Sequence, residues 1–363
     1  MYRSTSHRAA AVIAIVCFGA CLTAQTAQAA PRYELTILRP IAGEATSAAQ
    51  FGLNESGSSV GTSGGQGNRR ATLWNRNGTP TRLARPSNAI FSRATGINDD
   101  GVIVGAVDTT GQPDLSGLRA ARWKSPGRYE FVLPDTGYDS DAEFINEDGW
   151  IVGILFTGST FTAYIASPQG RVDYPAPLNN GDTFELLSIN RHRQAVGFDA
   201  GDSGTTAVRW SNARGLENLG LLRGGTTSAA ASINDRGTIG GVADDATGIY
   251  RAVRWSHDGT IVELKSLRNA VYSDTQFGIN NHDFSVGVTI FDGTDLGDYL
   301  SQRATLWNPS GKAFNLNKLI APGSGVTLLT ASGINDSGMI YGDCVDAAGD
   351  RFAYLLNPHN RHD

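Results

Sequence analysis

The chain has 363 residues and carries 30 Lys and Arg against 35 Asp and Glu, which gives a formal net charge of −5 at pH 7. This acidic balance argues against nucleic acid or an anionic membrane surface as the main partner. The 44 glycines and the absence of a long helical pattern favour many short strands joined by tight turns.

Residues 1–29 are typical of a secretory signal peptide. Two arginines precede an apolar run from Ala9 to Leu22, and Ala27-Gln28-Ala29 is a small-residue cleavage site. The run is too short to span a bilayer permanently, so we expect no transmembrane segment in the mature chain and a secreted or periplasmic location. The alternative is a lipoprotein anchored through Cys21, since Phe18-Gly19-Ala20-Cys21 resembles the box that precedes an acylated cysteine.

Cleavage after Ala29 leaves Cys344 as the one cysteine, so no intrachain disulfide can form and stability depends on a packed core. It also removes two arginines, which leaves 28 basic residues against 35 acidic ones and a net charge of −7. We expect residues 30–363 to form a single domain.

A nine-residue unit recurs seven times in this domain, and residues 97–105 are its clearest copy. An aliphatic residue precedes an Asn, a polar turn follows, and a short apolar run ends in a Gly seven residues after the Asn. The asparagines, which number the repeats below from one to seven, are Asn54, Asn98, Asn146, Asn190, Asn234, Asn280 and Asn335. The glycines are Gly61, Gly105, Gly153, Gly197, Gly241, Gly287 and Gly342. This periodic self-similarity predicts a repeat architecture.

Each repeat has a second fixed feature downstream of the Gly, an Ala that is followed three residues later by Trp in five of the seven repeats. The pattern predicts four short strands per repeat, at 229–233, 238–243, 250–255 and 260–264 in the fifth. One such sheet cannot bury both faces, so neighbouring sheets must stack. The sequence therefore predicts an all-β fold, a seven-bladed β-propeller of four-stranded antiparallel blades.

The N-terminal end of the domain has the kind of strand that the last repeat lacks. Residues 33–39 resemble the fourth strand of other repeats, and the last repeat stops after its third strand. We expect the N-terminal strand to complete the last blade and close the ring, which removes the exposed edges of an open array.

The pattern of Ile-Asn, turn, Gly and a later Ala strand resembles the extracellular family known as HAF repeats, over essentially the whole mature chain. The residue before the Ala is never the His of the family's name; it is Arg, Thr or Phe. The resemblance implies a secreted or surface protein, and it implies no established activity and no catalytic residues.

The acidic residues of the Asn turns, such as Asp99 and Asp100, raise the alternative of a calcium loop. The hairpin interpretation is favoured, because Asn and Gly supply the hydrogen bond and the positive φ of a tight turn. The fourth and sixth repeats keep the hairpin position but lack an acidic turn followed by Gly; their turns are Arg191-His192-Arg193 and Asn281-His282-Asp283. One repeat also offers too few oxygen ligands for calcium, so we expect no metal and no cofactor.

The remaining recurrent residues are interpreted as packing positions. The repeat glycines mark close approach to a neighbouring strand, and the repeat tryptophans pack between blades. Trp150 is out of register with these tryptophans, which makes it a candidate exposed contact.

Two repeats have longer loops between their second and third strands. The distance from the repeat Asn to the Ala of the third strand is 17 or 18 residues in five repeats, 22 in the second and 24 in the sixth. Both long loops, 106–119 and 288–302, lie on one face of a propeller, where binding sites are often built; the alternative is neutral drift in loop length. The candidate ligand-binding residues are Asp108, Gln112, Asp114, Asp292, Asp295, Asp298 and Tyr299.

No two histidines have the close spacing of a metal pair except His359 and His362 in the C-terminal tail. We therefore expect a secreted or cell-envelope module that binds an extracellular glycan or protein without catalysis, in an oligomeric state left open. The alternative is a lyase or glycosidase acting on extracellular polysaccharide. It would need paired carboxylates, or His, Tyr and Arg together, at one end of the channel.

Overall fold

The computed structural model describes residues 32–65, 68–112, 116–178, 183–201, 204–291 and 299–359. The predicted signal peptide and Cys21 lie outside these residues. All the described strands belong to one compact unit, Pro31–Asp363. Within the described ranges, the helical segments are two short 3-10 turns, Tyr299–Ser301 and Leu316–Lys318, and none has the length and hydropathy needed to cross a bilayer. The fold is all-β.

The strands follow the repeats in order. Strand β1 is Tyr33–Leu38, and the first two repeats contain β2 (Ser47–Leu53), β3 (Ser59–Ser63), β4 (Arg70–Trp74), β5 (Pro80–Arg82), β6 (Ser92–Ile97), β7 (Ile103–Asp108), β8 (Leu118–Ser125) and β9 (Arg128–Phe131). The third and fourth contain β10 (Asp139–Ile145), β11 (Ile151–Phe156), β12 (Phe161–Ala166), β13 (Val172–Asp173), β14 (Thr183–Ile189), β15 (Ala195–Gly201), β16 (Gly204–Ser211) and β17 (Gly215–Asn218).

The fifth and sixth repeats contain β18 (Ser228–Ile233), β19 (Ile239–Asp244), β20 (Tyr250–Trp255), β21 (Ile261–Glu263), β22 (Tyr272–Ile279), β23 (Ser285–Ile290), β24 (Gln302–Trp307) and β25 (Ala313–Asn315). The seventh contains β26 (Val326–Leu328), β27 (Gly333–Ile334), β28 (Ile340–Asp346) and β29 (Arg351–Pro358). The four strands predicted for the fifth repeat agree with β18 to β21 to within one residue at each end.

Consecutive strands within a repeat pair antiparallel, as in the order β6-β7-β8-β9. The third and fourth repeats form one larger sheet, because Phe161 of β12 and Thr183 of β14 make a single parallel pair. Strand β1 pairs antiparallel with β29 over six residues, from Tyr33 opposite Pro358 to Leu38 opposite Ala353. The N-terminal strand therefore forms the outer strand of the last repeat's sheet.

The apolar core lies between the sheets of successive repeats. One cluster, for example, joins Val60 and Ala71 of the first repeat to Ile103 and Trp123 of the second. Another joins Tyr341 of the seventh repeat to Trp74 of the first. Because each sheet is short, most of its stabilisation comes from burying apolar faces against its neighbours.

The first strand of six repeats contains a bulge, for example between Ala94 and Gly96 of β6. The repeat Gly of the second strand lies beside the first strand, and a Cβ at Gly197 would lie 1.8 Å from the carbonyl oxygen of Glu185. At Gly61, Gly105, Gly153, Gly241 and Gly342 the corresponding distance is 2.1–2.2 Å. Only glycine permits this approach of two backbones.

Candidate functional site

The order of antiparallel strands gives every sheet two distinct ends. The connections from first to second strand and from third to fourth lie at one end, here called the turn end. The connections from second to third strand and from each repeat to the next lie at the other, here called the loop end. Hydrogen bonds between the Asn turns place all seven turn ends side by side.

The repeat asparagines link each turn to the next. The side-chain Nδ2 of Asn54 donates to the carbonyl oxygen of Asn98 at 3.1 Å, and the same bond recurs between successive repeats up to Asn280 and Asn335. Asn335 donates in turn to the carbonyl oxygen of Asn54 at 3.0 Å. Each Oδ1 accepts from the N–H four residues on in its own turn. All seven asparagines are buried.

A second set of bonds involves the residue after each Asn. The N–H of Glu55 donates to Asp99 Oδ1 at 2.8 Å, and the N–H of Asp99 donates to Glu147 Oε2 at 2.7 Å. The series resumes from residue 191 to 235, 281, 336 and back to 55. It is interrupted between Glu147 and Arg191, because an arginine side chain offers no acceptor. These acidic side chains therefore bind neighbouring turns, and no three His, Cys, Asp or Glu of the described residues converge as metal ligands.

A cavity of about 150 Å³ at the turn end is lined by residues of all seven repeats. Glu147 lines it, and partial burial raises the pKa of this carboxyl to about 7, with Asp99 and Asp100 adding to the rise and the Asp99 N–H and Arg191 opposing it. A carboxyl with a raised pKa binds its proton more tightly in the folded state, so its protonation stabilises the fold most below its ordinary pKa of 4.5. That stabilisation is lost as the pH rises to about 7.

Glu147→Gln is expected to reduce the loss of stability between pH 4.5 and 7.5, because Gln keeps an acceptor for the Asp99 N–H and does not titrate. Melting temperatures at pH 4.5, 6 and 7.5 test this. Asp148→Asn, which removes an exposed carboxylate of the same turn, is the control. Parallel pH profiles for Glu147→Gln and the unmodified protein would contradict the prediction.

Of the residues predicted to bind ligand, Asp108 is fully buried at the end of β7. Its carboxylate accepts from the N–H groups of Ile90, Thr110 and Gly111 at 2.8–3.0 Å, and these bonds lower its pKa against the opposing effect of burial. Asp199 and Asp244 accept loop N–H groups at the same place in their repeats. The Asp108 carboxylate thus holds its own loop, and its ligand-binding role stays a prediction.

The other predicted residues are less constrained by the structure. Gln112 is exposed, and its N–H donates to Thr110 Oγ1 at 3.2 Å. Tyr299 begins a 3-10 turn, and its side chain is outside the described part. Asp114, Asp292, Asp295 and Asp298 lie outside the described residues.

Exposed large apolar side chains concentrate at the loop end. In the described ranges, nine of the ten most exposed ones occupy strand ends or connections there, and the tenth, Val262, lies within β21. The nine are Phe131, Tyr138, Phe161, Tyr174, Leu178, Leu221, Tyr250, Val271 and Leu300. Five of them are aromatic, and exposed apolar side chains that lie close together mark interaction sites.

Tyr250 and Tyr272 form an aromatic pair at this end, with ring centroids 6.1 Å apart. Tyr250 is 40% exposed. The hydroxyl of Tyr272 donates to Asp274 Oδ2 at 3.2 Å. The two rings thus lie beside a carboxylate on the first strand of the sixth repeat.

Charged residues occupy one register position of the first strands near the loop end. At this position, the residue of the first strand pairs with the residue that directly follows the repeat Gly on the second strand. Four repeats have a charged residue there, namely Arg93, Asp141, Glu185 and Asp274, and the first and fifth repeats have Ala48 and Ala229. The repeat pattern alone did not reveal this group, because its members come from different repeats. The available signal was their constant position, five or six residues before each repeat Asn.

Arg93 connects two carboxylates in this group. Its Nε donates to Asp141 Oδ2 at 2.6 Å, and its Nη2 donates to Glu143 Oε1 at 3.0 Å. Burial and the charge of Asp141 raise the pKa of Glu143 to about 7, against the opposing effect of Arg93. Asp141 Oδ1 is buried without a hydrogen-bond partner. Burial also raises the pKa of Asp141, against the opposing effect of Arg93, and paired carboxyl groups with perturbed pKa values are the kind of arrangement that acid–base chemistry uses.

The tryptophans differ in their surroundings. Trp74, Trp123, Trp255 and Trp307 are fully buried. Trp210 and Trp150 are partly buried against the core between the third and fourth repeats. The guanidinium of Arg193 lies 5.4 Å from the centroid of the Trp150 ring, so Trp150 is not a bare surface platform.

No family model matches the chain, and no curated protein matches it. Solved structures do match. A catalytically inactive virginiamycin B lyase from Staphylococcus aureus, with quinupristin, is 11% identical with a TM-score of 0.57, over 90% of this chain and 99% of that one. A streptogramin B lyase is 12% identical with a TM-score of 0.55, over 90% and 98%. A puromycin hydrolase is 13% identical with a TM-score of 0.51, over 87% of this chain and 55% of that one.

The chain has a β-propeller-like fold. At these sequence identities the similarity concerns the fold alone, because one fold carries many unrelated activities.

Proposed function

We propose that the protein is a secreted or cell-envelope binding module, a closed seven-bladed β-propeller that binds an extracellular glycan at its loop end. The observation that carries the proposal is the grouping of exposed aromatic side chains at that end. Aromatic faces bind the apolar faces of sugar rings, and neighbouring carboxylates accept their hydroxyl groups. Export is proposed because residues 1–29 have the pattern of a signal peptide, with Cys21 as the alternative point of attachment.

Three observations support the closed seven-bladed ring. Strand β1 pairs with β29, so the two ends of the domain share one sheet. Asn335 donates to Asn54 as each other repeat Asn donates to the next. Tyr341 and Trp74 belong to one core cluster, as do residues of other adjacent repeats. A closed ring leaves no unpaired sheet face.

The glycan site is proposed around Tyr250, Tyr272 and Asp274. These residues come from adjacent repeats and combine two ring faces with a carboxylate. The predicted long loops 106–119 and 288–302 overlap the ends of β7, β8, β23 and β24, and the strand ends that flank them belong to the same end as this site. A glycan is preferred to a protein partner because exposed aromatic rings outnumber exposed aliphatic side chains there.

Tyr250→Ala is expected to weaken glycan binding about tenfold, because truncating an aromatic anchor costs about 1–2 kcal/mol. Binding of the purified protein to cellulose, chitin and alginate oligosaccharides is measured by calorimetry. Val262→Ala, at a 49% exposed position away from the loop end, is the matched control. Equal affinities of Tyr250→Ala and the unmodified protein for a bound oligosaccharide would place the glycan elsewhere.

The second candidate is a lyase or glycosidase, and the Arg93, Asp141 and Glu143 group favours it. Two carboxylates and a guanidinium meet on the first strands of the second and third repeats, and burial raises the pKa of Glu143 to about 7. Product analysis of the same oligosaccharide mixtures distinguishes the candidates. Shortened products that disappear in Glu143→Gln would establish the enzyme, and intact bound oligosaccharide would support the binding module.

A further inference from the structure

A cleft of about 600 Å³ lies at the turn end between the fourth and fifth repeats, opposite the proposed glycan site. Four arginines and two histidines line it together with two carboxylates, Glu217 and Asp235. The cleft, here called the cationic cleft, is lined by the arginines Arg193, Arg209, Arg214 and Arg236 and by the histidines His192 and His257. On a chain with a net charge of −5, this local excess of positive charge attracts anions to one place.

The Asn turn of the fourth repeat differs from five of the others at one position and from all six at another; at the first position the sixth repeat has Asp283, with a φ of +60°. Arg193 has a φ of +58°, where five other repeats have a glycine with a φ of 76–81°. A side chain in this left-handed region is strained. Arg191 also interrupts the second series of hydrogen bonds between turns. Arg193 contacts the Trp150 ring and Arg191 reaches Asp235 at 3.7 Å, and both side chains remain exposed at this turn.

The cations of the cleft differ in availability. Arg209 is almost fully buried and bonds to Glu217 and the His257 carbonyl oxygen. Arg214 is 68% exposed and reaches Glu217 at 3.3 Å. Arg193 is exposed, and in the described part of the chain it contacts the Trp150 ring and forms no ion pair. Arg193 and Arg214 can therefore turn their guanidinium groups to a ligand.

We propose that the cationic cleft binds an oxyanion, a carboxylate, sulfate or phosphate carried by a molecule of about disaccharide size. The planar guanidinium of arginine binds such groups through two parallel hydrogen bonds. The volume of 600 Å³ is within the range of small-molecule sites. Arg209, held by Glu217 and the His257 carbonyl oxygen, lines the same cleft as Arg193 and Arg214. The proposal is independent of the glycan site, which lies at the other end of the sheets.

The test measures binding of inorganic sulfate, inorganic phosphate, a uronic acid disaccharide and a neutral disaccharide to the whole protein by calorimetry. At least one anion is expected to bind, and more weakly at higher salt. The neutral disaccharide is expected not to bind in the cleft. The anion that binds most tightly identifies the source of the oxyanion. Absence of binding by all three anions would overturn the proposal.

Two variants locate the site. Arg214→Gln is expected to weaken anion binding about tenfold. Arg171→Gln is the matched control, since Arg171 is 75% exposed and pairs with Asp173 in the corresponding hairpin of the third repeat. Arg193→Gly introduces the residue that five other turns have at this position. This variant is expected to fold, to melt at a higher temperature and to bind the anion more weakly. Equal weakening by Arg214→Gln and Arg171→Gln, or full affinity in Arg193→Gly, would contradict the assignment.

Discussion

Gly197→Ala is expected to destabilise the protein by about 4 kcal/mol or more, because the added methyl group would meet backbone that cannot move away. A Cβ at this position would lie 1.8 Å from the carbonyl oxygen of Glu185 and 2.9 Å from the Cα of Leu186. To remove this clash, the first strand of the fourth repeat would have to lose its bulge and its pairing with β15. Urea unfolding followed by tryptophan fluorescence measures the loss.

Gly127→Ala is the control for this substitution. A Cβ at Gly127 would meet no atom within 4 Å, and the residue is outside the left-handed region. We expect its stability to change by less than about 1 kcal/mol. If Gly197→Ala and Gly127→Ala unfolded at similar urea concentrations, the two backbones would separate easily. The repeat glycines would then need another explanation.

The sequence predicted the repeat unit and its strands because both depend on local patterns. Alternation of apolar residues and the turn residues between them act over a few positions. The strands of the fifth repeat, Ser228–Ile233 to Ile261–Glu263, accordingly lie within one residue of the prediction. The interpretation of the repeat glycines as points of close approach rests on the same local logic.

The hydrogen bonds between turns were not predicted, since they join residues 44 to 281 positions apart. The local pattern places Asn98 in its own hairpin. It does not show that the side-chain amide nitrogen of Asn98 donates a hydrogen bond to the next repeat. A signal was present: six of the seven residues that follow a repeat Asn can accept a hydrogen bond, and Arg191 is the exception. Such regularity at an exposed turn indicates a partner outside the turn.

The candidate loop site shows a different limit of sequence reasoning. Asp108 was assigned to a loop tip because its repeat has an insertion, and the structure places it at the buried end of β7. Asp199 and Asp244 stand at nearly the same offset from their repeat asparagines in repeats without that insertion. A residue that recurs independently of loop length is more often part of the scaffold than of a specific site.

Asn335→Ala is expected to destabilise the protein by roughly 2–4 kcal/mol, because it removes two buried hydrogen bonds and leaves the Met339 N–H without its acceptor, while the Asn54 carbonyl oxygen keeps only the Gly57 N–H. The Asn335 side chain donates to the Asn54 carbonyl oxygen at 3.0 Å and accepts from the Met339 N–H at 2.8 Å. Asn75→Ala is the control. Asn75 accepts from the Thr79 N–H at 3.0 Å in a hairpin of the same kind but is exposed, so water replaces the lost bond and the cost stays below about 1 kcal/mol.

Comparison with Asn98→Ala separates the local turn from the link between the ends of the domain. Asn98 makes the same two bonds, but its partner Asn146 belongs to the next repeat along the chain. In a closed ring the two substitutions act on equivalent links, so we expect similar losses of stability. If the seventh repeat met the first only loosely, Asn335→Ala would cost no more than Asn75→Ala, and Asn98→Ala would remain costly. That pattern would contradict the closed ring and leave the repeats as an open array.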